Sequence, residues 1–295
     1  MKTKTILINC VAIFALAAGL TASGQAVLSG TNYTQNFNTI SNGLPPGWSV
    51  RTNATTISLG KPASFPVATK SWADPTGEFG NAAGTINNSL AAATGNEDSS
   101  HQSVFTNRCP CVRQTGSFGD PGAAFVFQIA NTTGFSNLTF SVDFSLLHTN
   151  NNSTTWIIEY AVGNAPASFT SLGTNSDPGI FCTTNRSFAL GTDADNQPNN
   201  VWIRVVALSA AIGSGRCETF GIDNFVLNYS AVTVATPVPL FIQTAGQNAV
   251  LTWNDASFAL QAAPTVAGTF TNVPAATSPF TNAMDAPAKF FRLSQ

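Results

Sequence analysis

Leu138-Thr-Phe-Ser-Val-Asp-Phe144 alternates apolar and polar residues without a break. Leu138, Phe140, Val142 and Phe144 fall on one side of an extended chain, with Thr139, Ser141 and Asp143 on the other. Period-two alternation marks a strand with one face buried and one wet. On either side lie similar segments, at Ala123–Ile129, Thr155–Val162, Val201–Leu208 and Phe220–Leu227. Gly, Pro, Asn and Asp separate them, as turns require. Amphipathic helices are missing from the pattern, and 81–108 reads as a long Asn-, Ala- and Ser-rich loop with room for one helical turn. Many strands without intervening helices predict antiparallel sheets stacked face to face. The expected fold is all-β, a jelly-roll β-sandwich.

Composition says what covers this sandwich. Only 9% of the 295 residues are charged, against about a quarter in an ordinary domain. The chain holds 28 Asn and many Ser and Thr, so its exterior is polar yet nearly uncharged. With a net charge of −2 and no Lys/Arg cluster it lacks what phosphate backbones require, which excludes a nucleic-acid partner.

Residues 1–26 read as a secretory signal: Lys2 and Lys4, an apolar run from Ile6 to Leu20, then small residues to Ala26. That run is shorter than the roughly 20 residues a membrane span needs, and no later stretch approaches that length. The expected location is secreted or cell-surface. From 27 to 230 the strand pattern continues, and 231–239 is an uncharged connector with two prolines. Residues 240–295 carry five short strand-like segments, predicting a small second β-domain. Export makes disulfides the default for Cys109, Cys111, Cys182 and Cys217. Three pairings exist. The favoured ones join Cys109 and Cys111 each to one of Cys182 and Cys217, because a direct bond across Cys109-Pro-Cys111 sits at the limit of disulfide geometry. A redox pair or zinc site lacks a second tight pair and nearby histidines.

Signals for catalysis are weak. Asp143 and Glu159 are the one carboxylate pair that neighbouring strands could bring together for glycoside hydrolysis. Solvation of strand faces explains both placements without chemistry and is the favoured reading. His101 and His148 sit in polar contexts, and neither a nucleophile elbow nor a phosphate loop is present. Sugar recognition needs aromatic faces and planar amides. Trp72, in Ser-Trp-Ala-Asp-Pro, and Trp48, in Gly-Trp-Ser, are the candidates, whereas Trp156, Trp202 and Trp253 fall inside strands and are expected in cores.

Tyr33–Thr39 followed by Gly43-Leu-Pro-Pro-Gly-Trp48, the segment Arg113–Phe125, and the closing Phe220-Gly-Ile-Asp-Asn-Phe-Val-Leu227 carry a resemblance. They resemble secreted bacterial jelly-roll proteins of Verrucomicrobia- and Planctomycetes-like organisms, akin to carbohydrate-binding, cleaved-adhesin and MAM-like domains. The tail, through Val250–Trp253, Gly268–Val273 and Phe290–Leu293, resembles a small fibronectin-III-like module. The resemblance implies display or binding without catalysis. It also implies a structural calcium where first and last strands meet, held by Asp223 with Asn36 or Asn38, although Asn224 departs from the two-Asp pattern. Asp193-Ala-Asp195-Asn196 is a second oxygen-rich loop. Turn chemistry is the competing explanation for both. The expectation is therefore a non-catalytic exported protein whose partner is an extracellular polysaccharide. The alternatives are a secreted carbohydrate-active enzyme and a purely structural surface-layer component.

Overall fold

The computed structural model describes residues 24–84, 99–176, 182–213, 216–232, 238–285 and 288–295. The chain divides into two compact units, Met1–Val232 and Thr233–Gln295. Of the expected signal, 1–23 lies outside the described residues, as does 233–237 of the expected connector.

The first unit is a sandwich of two antiparallel sheets. Its strands are β1 (Asn32–Gln35), β2 (Trp48–Thr52), β3 (Lys61–Pro62), β4 (Glu78–Ala83), β5 (Arg108–Arg113) and β6 (Ala124–Ile129). They continue with β7 (Phe135–His148), β8 (Thr155–Val162), β9 (Thr170–Ser176), β10 (Cys182–Ala189), β11 (Val201–Val206) and β12 (Thr219–Ala231). One sheet runs β10-β7-β12-β5-β4, and β1 also pairs with β12. The other runs β3-β2-β6-β11-β8-β9. Here the jelly-roll sandwich is seen directly.

Alternation dictates which residues meet between the sheets. Leu138, Phe140, Val142 and Phe144 of β7 face Phe125, Phe127 and Ile129 of β6 and Trp156, Ile158 and Tyr160 of β8 in one buried core. Aromatic rings dominate it. Phe225 of β12 lies 5.1 Å from both Trp48 and Phe127 and 5.4 Å from Phe140. Ala26 is buried here too, with its N–H donating to Gln128 O and its O accepting from Ala130 N. Ala26 is therefore tied into the sandwich.

Strand β12 is the hub. Against β7 it slips register between Asp223 and Val226, and Asn224 takes φ 47°, the left-handed region that Asn tolerates better than most residues. On the opposite edge its partner changes at the same place. Residues 219–221 pair with β5, while 225–228 pair with β1.

The expected loop over 81–108 is partly strand. β4 runs to Ala83, β5 opens at Arg108 and one helical turn spans Ser99–Gln102, with 85–98 outside the described residues. The low alternation that suggested a loop arises because both faces of β4 and β5 are buried, which removes the wet face that period-two patterning reads.

The second unit has two three-stranded sheets. The first is formed by β13 (Phe241–Ala245), β14 (Asn248–Thr252) and β17 (Phe280–Ala283), the second by β15 (Ala259–Ala263), β16 (Thr271–Asn272) and β18 (Phe290–Ser294). Leu251, Trp253 and Leu260 centre its core. No described helix is long and apolar enough to cross a membrane.

Arg204 on β11 is buried and pairs with Glu159 on β8, Nη2 to Oε2 at 2.6 Å, while its other N–H groups donate to Ser58 O and Thr55 O. Removing one member of a buried pair strands the other charge, at about 3–5 kcal/mol. Arg204→Met should cost that much in urea unfolding. Adding Glu159→Leu should restore part of it; a double variant as unstable as the single would show that the ion pair is not what Arg204 contributes.

Candidate functional site

The outward face of the β10-β7-β12 sheet divides in two. One part is covered by the chain around Lys70–Asp74. Trp72 seals it: 0% exposed, packed on Ala82, Ala83, Cys109, Cys111 and Leu147, its indole N–H donating to Ala83 O at 3.1 Å. Arg113 donates to Ala73 O and Thr219 to Trp72 O, fixing the cover from below. Trp48 is 5% exposed and ringed by Phe37, Phe127 and Phe225 in the main core. Neither tryptophan offers a face to a sugar, which corrects the expectation for both. The cysteines at the outward positions Cys109 and Cys111 of β5 are the available signal, since small apolar side chains on a sheet face call for a cover.

The remaining part stays open and polar. Across β1, β12 and β7 one row is Asn32, Asn228 and Thr139. The next runs Thr34, Val226, Ser141 and, on β10, Ser187. The third is Asp223, Asp143 and Asn185, and the fourth joins Ser145 to Thr183. Asn32, Thr34, Asn228, Thr139, Thr183, Asn185 and Ser187 are exposed. Asp143 is the ordering element, since its Oδ1 accepts from Asn185 Nδ2 at 2.6 Å and its Oδ2 from Asn224 Nδ2 at 2.8 Å. Sequence reasoning found β7 and β12, and β1 through the resemblance, but neither β10 nor this surface, because register places the rows side by side.

Asp223 lies beneath the edge of that surface, 2% exposed, where β5 gives way to β1. Its Oδ1 accepts the Asn224 N–H at 2.7 Å, and the Asn107 side chain donates to the same carboxylate. Gly84 backs it so closely that a Cβ there would meet Oδ2 at 2.8 Å. Burial pushes the carboxyl up to about 7, the nearby Asp143 charge adds to the rise, and the two N–H donors oppose it. Asn38 Oδ1 accepts from Arg108 N, and Asn36 Oδ1 from Asn38 N. Two N–H donors thus engage the Asp223 carboxylate, and the Asn36 and Asn38 side-chain oxygens expected beside it each accept from a backbone N–H. The second oxygen-rich loop is likewise engaged: Asp193 accepts from Tyr160 OH, Asp195 from Asn137 N and Asn196 from Gly134 N. No group of three or more His, Cys, Asp or Glu suited to a metal occurs among the described residues.

Asp143 and Glu159 lie on opposite outer faces of the sandwich. Asp143 is on the open face of one sheet, while Glu159 is buried under the 55–58 turn of the other with Arg204. The core separates them, so this pair performs no joint chemistry. His148 ends β7 beside Arg113, and burial first, then that guanidinium, lower its imidazole to about 4. The His101 side chain lies outside those described.

All four expected disulfide cysteines are free. β10, with Cys182, is three strand spacings from β5, with Cys109 and Cys111, or about 14 Å, beyond disulfide reach. Cys217 precedes β12 by two residues, opposite the continuation of β5 past Arg113 rather than Cys111, and its thiol faces Asp120. Burial raises the Cys109 thiol strongly and lifts Cys111 and Cys217 to about 12. Between the end strands β9 and β10 the sheets part, leaving a cavity of about 210 Å³.

No protein-family model matches the chain, and no curated protein matches it in sequence. Solved structures with some likeness include the CBM22-1–GH10 modules of Clostridium thermocellum xylanase 10B in complex with xylohexaose. That likeness has 9% identity and TM-score 0.39, and covers 69% of this chain but only 29% of the xylanase modules. The C-terminal family 22 carbohydrate-binding module of the same enzyme shows 13% identity and TM-score 0.38, covering 70% of this chain and 97% of the module. The K1 cleaved adhesin domain of Lys-gingipain from Porphyromonas gingivalis shows 12% identity and TM-score 0.35, covering 68% and 98%. At these scores the likenesses carry no argument about function.

Two outcomes follow. A carboxyl held above its unfolded value of about 3.9 is favourable protonated, so it weakens the fold as pH climbs from about 4 through 7. Asp223→Asn should raise the melting temperature at pH 8 and leave it nearly unchanged at pH 4; an equal effect at both would contradict the raised value. Iodoacetamide on native protein should label Cys182 and spare Cys109, Cys111 and Cys217 until unfolding, as mass spectrometry would show.

Proposed function

We propose that this chain is a non-catalytic exported protein that binds an extracellular polysaccharide on the open face of the β10-β7-β12-β1 sheet. The observation that supports it is the face itself, cross-strand rows in which Asn32, Thr34, Thr139, Thr183, Asn185, Ser187 and Asn228 are exposed beside Val226, with Asp143 ordering its Asn neighbours. Hydroxyl and amide groups both donate and accept, which matches the exchange of hydrogen bonds that sugar hydroxyls require. Rows repeat every two residues, about 6.7 Å, and neighbouring strands about 4.8 Å apart, so the groups form a grid along which an extended chain can lie. Without stacking aromatics the contacts are individually weak and hydrated, and binding draws on several of them at once. Of the two carboxylates in the grid, Asp143 has both oxygens engaged by Asn185 and Asn224 and Asp223 is buried, which favours holding over cleaving. The second unit serves in this reading as a spacer or attachment module.

The test is retention on a panel of insoluble and cell-wall polysaccharides. The full chain should be held by at least one, and Asn185→Ala with Asn228→Ala should weaken retention about 10-fold or more, at about 1 kcal/mol per lost hydrogen bond, with the melting temperature little changed. Absence of retention on every polysaccharide, or unaltered retention in the double variant, would overturn this assignment.

A further inference from the structure

The outer strands of the four sheets are not protected alike. An edge strand leaves a row of backbone N–H and C=O groups unpaired, and natural sheets blunt it with charge, proline, a bulge, shortness or a cover. The first unit uses these devices. β3 is Lys61–Pro62, β10 carries Arg186, β9 slips register against β8, and Thr69 bridges Asn81 on β4. In the second unit β16 has two residues, β17 has four, and β18 carries Arg292. β13, Phe241-Ile-Gln-Thr-Ala245, ends its sheet with none of these. All five of its residues are exposed, Phe241 by 59% and Ile242 by 55%.

Register tells which groups of β13 are free. Ala245 pairs with Asn248 across the two-residue turn Gly246-Gln247, whose glycine takes φ 61°, and a pair closing such a turn exchanges both hydrogen bonds. Bonding then alternates, so Phe241, Gln243 and Ala245 bond β14, while the N–H and C=O of Ile242 and Thr244 point to the open edge. Side chains alternate as well. Ile242 lies opposite Leu251, so it and Thr244 face the core side, with Phe241, Gln243 and Ala245 on the other. Alternating donors and acceptors along an open edge are completed by one more extended strand.

We propose that this strand is β13 of a second copy of the chain, paired antiparallel about a two-fold axis at Gln243. The strand is complementary to itself in that register, as an isologous contact requires. Ile242 meets the second copy's Thr244 and Phe241 meets its Ala245, a large residue opposite a smaller one on each face. The free groups fall into register too, since Ile242 and Thr244 are the residues that pair, giving roughly four hydrogen bonds. β13 carries no charge, so nothing on it repels a like strand. A strand of about 17 Å covers less than the roughly 800 Å² per partner of a standard interface, so the association is weak and concentration-dependent. This proposal is independent of the polysaccharide reading. Where both hold, each pair of chains presents two open faces, and retention gains from the effective concentration of the second.

The experiment is analytical ultracentrifugation of the full chain from about 1 µM to about 1 mM, the range of weak contacts. The mean mass should rise with concentration from one chain toward two. Ile242→Lys, which points a charge inward from the edge, should weaken association about 10-fold or more. Gln243→Cys in a Cys182→Ser background should cross-link into a dimer on mild oxidation, because Gln243 meets its own copy at the close spacing of about 4.5 Å between Cα atoms. Asn248→Cys, on the neighbouring strand, should not. The cross-link decides even where Ile242→Lys lowers the melting temperature. A single-chain mass at every concentration, a dimer indifferent to Ile242→Lys in a folded chain, or equal cross-linking through Asn248→Cys would overturn the proposal.

Discussion

The aromatic contact between the sheets is what the rest of the molecule depends on. Phe225 reaches from β12 to Trp48 and Phe127 of the facing sheet, with Phe140 and Tyr33 beside it in its own. Such ring pairs add about 0.5–1.5 kcal/mol each beyond the area they bury. They also fix direction. For both Ile222 and Phe225 to point inward, one extra residue must be absorbed between them, and the bulge at Asp223 and Asn224 absorbs it. Through that bulge the core determines where Asp223 is buried and where Asn224 reaches Asp143.

Two outer surfaces then have different fates. Where outward residues are small or apolar, as on β4 and β5, the chain carrying Trp72 returns to cover them. Where they are Thr, Ser and Asn, as at Thr34, Thr139, Thr183, Asn185 and Ser187, they are exposed, and water contact costs them little. The division follows from side-chain polarity alone. It explains why a chain with 9% charged residues keeps a wet surface, and why that surface is a grid of neutral hydrogen-bonding groups.

Sequence reasoning reached the strands that alternate, such as Leu138–Phe144 and Phe220–Leu227, and with them the sandwich. It missed β4 and β5, whose two buried faces erase the alternation, and β17, whose Phe280-Thr-Asn-Ala283 is too short to show a period. The site was less legible. Trp72 looked exposed because Pro and Gly surround it, yet the same turn chemistry folds it onto the sheet as a plug. Spacing along the chain made disulfides the default, whereas strand order places Cys182 too far from Cys109 and Cys111. The polar rows exist only once register is set, so no linear motif announces them.

The side-chain amides of Asn32, Asn185 and Asn228 report on the central claim most directly. In ¹⁵N spectra of the full chain titrated with soluble fragments of a retained polysaccharide, those three amide pairs should shift together while that of Asn282 in the second unit stays still. Shifts confined to the second unit, or none on the open face, would contradict the account.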